Sequence, residues 1–192
     1  MPGCRLHAFV IAASAATLAL AGCGGGGGGS SSLALGEQAA VQHAKSGSPE
    51  GTPTTTLGVT VLAVRAGTQE ELEEGGFSLD PDEKELKPYY VDVRYENQGQ
   101  EPIERSLGVG MRDQDDNLIS ETAIISFGGP PFERCPRVKE GVLDPGDSYE
   151  SCSLFLLPPD SEPDRVHFLP YVPGEEGDFV YWDASAPEDT QE

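Results

Sequence analysis

YYVDVRYEN, residues 89–97, is the stretch that decides the fold. Its apolar side chains recur at every second position from Tyr89 to Tyr95, and polar residues such as Asp92 and Arg94 stand between them. This period-two alternation is typical of a β-strand that buries one face. The next residues, 97–100 (NQGQ), favour a turn, so the strand is expected to end there.

Outward from this strand, the chain contains other short strand patterns separated by turns. The odd-numbered residues from Leu57 to Ala63 fall on one face of a strand, and residues 107–112 and 117–125 predict a hairpin. Residues 37–42 fit either a first strand or part of a tether. The remaining predicted elements are strands at residues 149–157, 166–171 and 178–182, and a helical turn at residues 69–74 within an acidic connection.

Gly and Pro fill the joins between these segments, and strands do not alternate with amphipathic helices. Seven or eight short strands with such joins predict an all-β fold, an immunoglobulin-like antiparallel β-sandwich with one disulfide. Antibody domains place a tryptophan between two cysteines, whereas Trp182 follows both cysteines of this region. The term immunoglobulin-like therefore describes the expected architecture and no closer match.

The N-terminus has the composition of an export signal. A single basic residue, Arg5, precedes an apolar segment at residues 7–20 that is too short for an ordinary transmembrane helix. The next residues, Leu20-Ala21-Gly22-Cys23, resemble the lipobox of bacterial lipoproteins. That resemblance implies cleavage before Cys23, a diacylglycerol thioether on its sulfur and usually an acylated amine. The alternative is an ordinary signal cleaved after Ala21 or Gly22.

The chain is expected to divide into four parts. Residues 1–22 form the lipoprotein signal peptide, and residues 23–32 comprise the lipidated Cys23 and a Gly/Ser tether with a mean reach of roughly 17 Å. Residues 33–183 form one sandwich domain, and residues 184–192 a disordered tail. This order predicts a lipid-anchored protein on the extracytoplasmic face of the cell membrane.

Two cysteines remain for a disulfide. Cys4 leaves with the signal and Cys23 is assigned to the lipid, which leaves Cys135 and Cys152 in an exported chain. Disulfides persist in such compartments, so we predict a Cys135–Cys152 bridge. The alternative is a pair of buried free thiols.

The formal net charge of −21 limits the partners. Nucleic acid is excluded as an expected partner because phosphate binding requires a basic face. Adhesion to anionic lipid headgroups is also disfavoured, which leaves the acyl chains as the link to the membrane. Solubility of an exported protein accounts for the acidity.

The order of several short segments resembles small actinobacterial lipoproteins that carry an immunoglobulin-like domain of unknown function. The segments are residues 35–39, 59–62, 87–93 and 97–99, Cys135, residues 143–146 and residues 152–158. The resemblance covers residues 33–183 and implies a surface-anchored β-sandwich. It supplies no catalytic residues.

Three polar residues in the predicted hairpin have the spacing of a calcium loop. Asp113, Asp115 and Asn117 match the first ligands of an EF-hand, but Leu118 and Ile124 replace its glycine and its last glutamate. A polar turn is the simpler interpretation, and weak calcium binding is the alternative. No other cofactor is expected. The acidic run at residues 70–85 is interpreted as a solvated loop, with a cation or a basic peptide as the alternative.

Catalytic motifs are missing from the sequence. His43 lies near the tether, His167 alternates with apolar residues on a predicted strand, and no G-x-S-x-G motif occurs. Both remaining thiols are assigned to a bridge, and the ligand set of a zinc or copper site is not present. The chain is therefore not expected to be an enzyme.

The expected function is a lipid-anchored module that binds a protein or glycan at the cell surface. Most aromatic residues are expected in the core, although Tyr90, Tyr181 and Trp182 are candidates for an exposed binding patch. The alternatives are a carboxylate-based glycan hydrolase, a weak calcium-binding surface protein and the ligand-binding component of a transporter. Neither the ligand nor the oligomeric state follows from the sequence.

Overall fold

The computed structural model describes residues 32–77, 79–123 and 132–185. The predicted signal peptide, the lipidation site Cys23, the tether up to residue 31 and the tail from residue 186 lie outside the described residues. The expectations for these segments stay predictions.

The described residues form eleven β-strands, one short α-helix and one 3-10 turn. In chain order the elements are β1 (Gln38–His43), β2 (Thr55–Ala66), α1 (Gln69–Glu74), the 3-10 turn (Glu83–Glu85), β3 (Lys87–Asn97), β4 (Ile103–Glu104), β5 (Gly110–Asp113), β6 (Leu118–Ile119), β7 (Glu121–Thr122), β8 (Val142–Leu143), β9 (Ser148–Leu157), β10 (Pro163–Phe168) and β11 (Val180–Asp183).

The strands make two main antiparallel sheets. One has five strands in the order β1-β2-β3-β9-β7, and the other has four in the order β11-β10-β5-β6. Strands β4 and β8 form a separate pair. Seven of the described strands are longer than two residues. The predicted all-β sandwich with one disulfide is thereby confirmed. The predicted hairpin is confirmed in part: β5 pairs with β6, but Glu121 and Thr122 form β7, which pairs with β9 in the five-stranded sheet.

The two sheets pack their inner faces into one core. Val91 and Val93 of β3 point inward in the period predicted from the sequence, and Val166 and Phe168 of β10 meet them from the other sheet. Trp182 is completely buried in the same core, and its indole N–H donates to the Glu37 carbonyl oxygen at 2.8 Å. The alternation along β3 therefore gives the inner face correctly.

Strand β2 departs from strict alternation. The pairing with β3 shifts between Val61 and Ala63, so an extra residue, Leu62, enters β2 as a bulge. Beyond the bulge Val64 is buried in the core and Ala63 is not, which corrects the prediction that Ala63 shares the inner face. A bulge reverses the faces because the side-chain period of a strand is two.

A second apolar cluster covers the outer face of the five-stranded sheet. Leu72 of α1 packs there with Tyr90 of β3, Leu154 of β9 and the Cys135–Cys152 disulfide, whose Cα atoms are 5.2 Å apart. Thr68 begins α1 with a capping box: its hydroxyl accepts from one backbone N–H and its own N–H donates to a glutamate side chain. This cluster buries Tyr90, although the alternation along β3 places Tyr90 on the same face as the polar residues Asp92 and Arg94.

Both ends of the described domain attach to the four-stranded sheet. Leu33 forms a parallel bridge with Trp182, its N–H donating to the Tyr181 carbonyl oxygen at 2.8 Å. The tether therefore joins the domain at the free edge of β11. Ala184 is buried and its N–H donates to the Asp164 carbonyl oxygen at 2.8 Å, so the sandwich extends one residue beyond the predicted boundary at 183.

Candidate functional site

The outer face of the four-stranded sheet carries aromatic, apolar and cationic side chains, and we call it the aromatic–arginine face. Strand pairing aligns His167 with Tyr181 and Arg165 with Arg112. Their neighbours along the strands point into the core. The face consists of Arg112, Leu118, Arg165, His167, Phe179 and Tyr181.

Three rings pack against one another on this face. The rings of His167 and Phe179 make an edge-to-face contact with centroids 4.9 Å apart, and those of Phe179 and Tyr181 lie 5.9 Å apart. The Arg165 guanidinium covers the Tyr181 ring at 5.0 Å. Phe179 remains 39% exposed whereas His167 is buried. Solvent therefore meets Phe179 more than the other two rings.

The two arginines of the face share one carboxylate partner, Asp116. Arg165 Nη2 donates to Asp116 Oδ1 at 2.6 Å and its Nε donates to Asp164 Oδ2 at 2.9 Å. Arg112 Nη1 lies 3.4 Å from the same Asp116 oxygen and donates to the Asp116 carbonyl oxygen at 2.8 Å. Asp116 thus links β5 to β10 across the outer face, and its side chain is well exposed.

The turn between β5 and β6 places Asp116. Asp116 has a φ of 64°, in the left-handed region, and it is the one non-glycine residue of the described chain with a positive φ. Such conformations persist only where the surroundings enforce them, and they occur often at functional positions. Here the neighbouring Asp113 holds the turn, and the carboxylate of Asp116 reaches both arginines.

Asp113 is the buried centre of that turn. Its Oδ1 accepts from the N–H groups of Asp115 and Asn117 at 3.0 and 2.8 Å, and its Oδ2 accepts from the Asn117 side chain and the Ser161 hydroxyl at 3.0 and 3.1 Å. These hydrogen bonds, the Asn117 side chain foremost, lower the pKa of Asp113 although burial opposes them. Both oxygens are therefore already engaged within the protein.

This arrangement bears on the candidate calcium ligands Asp113, Asp115 and Asn117. In the described residues 32–77, 79–123 and 132–185, no three His, Cys, Asp or Glu side chains are grouped to hold a metal ion. Asp113 instead binds the donors of Asp115 and Asn117, as in the polar-turn interpretation. Calcium binding stays a prediction.

Histidine 167 lies in surroundings that disfavour its protonation. Burial, followed by the positive charges of Arg112 and Arg165, lowers its pKa. Its Nδ1 is buried and has no hydrogen-bond partner in the described structure. His167 therefore packs as an aromatic ring beneath Phe179 and Tyr181.

Histidine 43 is also structural. It is buried at the end of β1, its Nδ1 accepts from the Tyr171 N–H at 3.0 Å, and its ring lies 5.5 Å from that of Phe168. Burial lowers the pKa of His43 to about 4. The residue ties β1 to the segment that follows β10.

The acidic run at residues 70–85 is partly engaged in local structure. Glu71 caps α1 and pairs with Arg134 at 2.9 Å, and Glu73 pairs with Lys84 at 2.8 Å. Arg134 precedes Cys135, so its ion pair joins α1 to the disulfide-bonded segment. These contacts fit the interpretation of the run as a solvated surface segment.

The structure separates the three aromatic candidates for a binding patch. Tyr90 and Trp182 are completely buried, which corrects the expectation that they could be exposed, whereas Tyr181 lies on the aromatic–arginine face. Sequence reasoning missed Asp116 and the two arginines. Arg165 is a charged residue directly before the apolar Val166, but its contacts with Arg112 and Asp116 depend on strand pairing.

Within the parts of the chain that the structure describes, no helix has both the length and the apolar character needed to cross a bilayer. No protein-family model and no curated protein matches the sequence.

Several solved structures are similar in fold. MPT63, a secreted protein of Mycobacterium tuberculosis, superposes with a TM-score of 0.51 at 11% identity, covering 82% of this chain and 99% of its own. A candidate lipoprotein of Bacillus subtilis, ycdA, gives a TM-score of 0.45 at 13% identity, and the match covers 67% of this chain and 36% of ycdA. The yjhA protein of Bacillus subtilis gives 0.40 at 16% identity, covering 73% and 99%. At these identities the similarity to MPT63 shows the fold alone.

Proposed function

We propose that this protein is a lipid-anchored, extracytoplasmic binding module, not an enzyme, and that it binds its ligand through the aromatic–arginine face. One observation carries the binding proposal. Phe179 is 39% exposed, its ring packs against those of His167 and Tyr181, and the arginines Arg112 and Arg165 lie on the same face. Exposed aromatic rings and arginine side chains are enriched at interaction sites.

The proposed location draws on the N-terminal sequence. Leu20-Ala21-Gly22-Cys23 resembles a lipobox, and the secreted MPT63 and the candidate lipoprotein ycdA are compatible with an exported protein. The disulfide is also typical of an oxidising compartment. The relationship to actinobacterial lipoproteins with an immunoglobulin-like domain belongs to this proposal too.

The attachment point of the tether supports a joint role for anchor and face. Leu33 lies on the free edge of β11, next to Tyr181. Because the bridge is parallel, the chain reaches Leu33 from the Val180 end of β11. A tether of the length of residues 23–32 would hold the face within roughly 20 Å of the membrane surface.

The anchor is tested by replacing Cys23 with alanine. The chain without substitution should incorporate labelled fatty acid and enter the detergent phase of a two-phase extraction. The C23A chain should do neither. An acylated C23A chain, or an unchanged membrane fraction, would contradict the anchor.

The binding role is tested separately with surface extract of the source cells. Phe179→Ala should lose a ligand that the chain without substitution captures. Val142→Ala should keep this ligand, because Val142 is also exposed but lies away from the face. Equal capture by all three chains would contradict the assignment of the site.

A further inference from the structure

We propose that the aromatic–arginine face binds a short, extended, basic polypeptide segment that carries apolar side chains. This inference rests on the proposed binding function and names its partner class. It follows from the size of the face, its exposed side chains and its charge.

The face is too small for a standard interface between two folded proteins. From Phe179 to Asp183 along β11 it measures about 13 Å, and across its four strands about 14 Å. Stable protein–protein interfaces bury about 800 Å² on each partner, several times the area of such a face. An extended segment of a few residues fits these dimensions.

The exposed groups suit a polypeptide better than a sugar. Leu118 of the face is 61% exposed, and an aliphatic side chain offers no aromatic ring face for a sugar to stack on. The guanidinium of Arg165 already covers the ring of Tyr181. Apolar, aromatic and arginine side chains together are the groups that dominate peptide and protein interfaces.

The charge of the face favours a cationic partner. Arg112 and Arg165 are both held by carboxylates, and three acidic residues surround them: Asp116, Asp164 and Asp183, the last directly opposite Arg165 on β11. The whole chain has a formal net charge of −21, which attracts basic segments over long range and repels acidic ones. The same repulsion disfavours a second copy of this chain as the occupant.

The test uses the full acylated chain in nanodiscs of zwitterionic phosphatidylcholine, with empty discs as background. The probe is a fluorescent twelve-residue peptide of alternating lysine and leucine, compared with one of alternating glutamate and leucine, and binding is followed by anisotropy. The lysine peptide should bind in the micromolar range and the glutamate peptide should not. Raising the salt from about 0.05 M to 0.5 M should weaken binding several-fold.

Matched variants separate the face from the general acidity of the chain. Phe179→Ala should weaken binding of the lysine peptide about tenfold, and Val142→Ala should leave it unchanged. Asp183→Lys should weaken binding more than Glu150→Lys, which makes the same change of charge beside Arg94 on the other sheet. Circular dichroism of each variant checks that it folds. If Phe179→Ala does not fold, the comparison of Asp183→Lys with Glu150→Lys still tests the proposal.

Several results would overturn the proposal. Equal binding by the face variants and their controls would show attraction by net charge alone. Retention of dextran or mannan in affinity electrophoresis, lost in Phe179→Ala, would identify a glycan ligand instead. If the lysine peptide did not bind but the face captured another ligand, this partner class would be rejected and the proposed binding function would stand. If the face captured nothing, both would be rejected.

Discussion

Nε2 of His167 lies against the backbone of Gly110, its partner on the neighbouring strand, so closely that a Cβ at position 110 would stand 2.3 Å from it. No side chain fits between the two residues. The absence of a Cβ on β5 therefore lets the imidazole lie low on the sheet, and Phe179 and Tyr181 pack against it.

Gly110→Ala should displace the His167 ring and disturb the face above it. Overpacking of this kind costs about 1–3 kcal/mol, so we expect a lower free energy of unfolding in urea together with weaker ligand capture. Gly108→Ala is the control, because a Cβ there would lie 3.3 Å from the flexible end of the Glu121 side chain. If both variants had the same stability, the contact between Gly110 and His167 would not be rigid.

Acid should destabilise the protein through His43. Its pKa in the folded state is about 4, below the ordinary value of 6.5, so the unfolded chain binds more protons between these two pH values. The contribution of His43 is complete above pH 6.5 and is lost as the pH falls towards 4, to a maximum of about 3 kcal/mol. Protonation of His167 acts in the same direction.

His43→Asn isolates this effect, because the asparagine oxygen can accept the Tyr171 N–H but does not titrate. Thermal unfolding from pH 7 to 4 should show a lower melting temperature overall, since the ring contact with Phe168 is lost, and a flatter dependence on pH. An unchanged slope would contradict the role of His43. Acidification also weakens the repulsion among the carboxylates, but this effect is the same in both chains and cancels in the comparison.

Reduction of the disulfide should destabilise the domain by about 3 kcal/mol, because the bridge closes a loop of 17 residues. The double variant Cys135→Ser, Cys152→Ser should show the same loss without reductant. Urea unfolding followed by circular dichroism measures both. A midpoint that does not move would show that the cluster around Leu72 and Tyr90 holds without the bridge.

Asp113→Ala should lower the melting temperature with or without calcium, because four accepted hydrogen bonds disappear from the turn. Asp115→Ala is the matched control: Asp115 contributes its backbone N–H, which the variant keeps. About 5–10 mM calcium covers the weak end of extracellular calcium sites. If the melting temperature rose at this concentration and either substitution removed the rise, the result would instead support the calcium loop.

Much of the sandwich was predictable from local pattern. The period-two alternation of residues 89–97 identified β3 and its inner face, the polar residues after it predicted the turn, and the two cysteines of an exported chain predicted the bridge. Thr68 and Glu71 likewise support the predicted helical turn at residues 69–74. The strand, the turn and the helical turn depend on neighbours in the sequence, and two remaining cysteines allow one pairing, so the sequence is enough to reveal these features.

The sequence by itself thus determined the long strands β2, β3 and β9, the cysteine pair and the alternation along β3. Only the tertiary structure decided what covers each face: α1 and the disulfide bury Tyr90, the second sheet buries Trp182, and Tyr181 remains on an outer face with Arg165. Alternation separates the two faces of a strand but carries no information about what packs on them. That depends on strand pairing and on segments distant in the chain, which the local sequence does not specify.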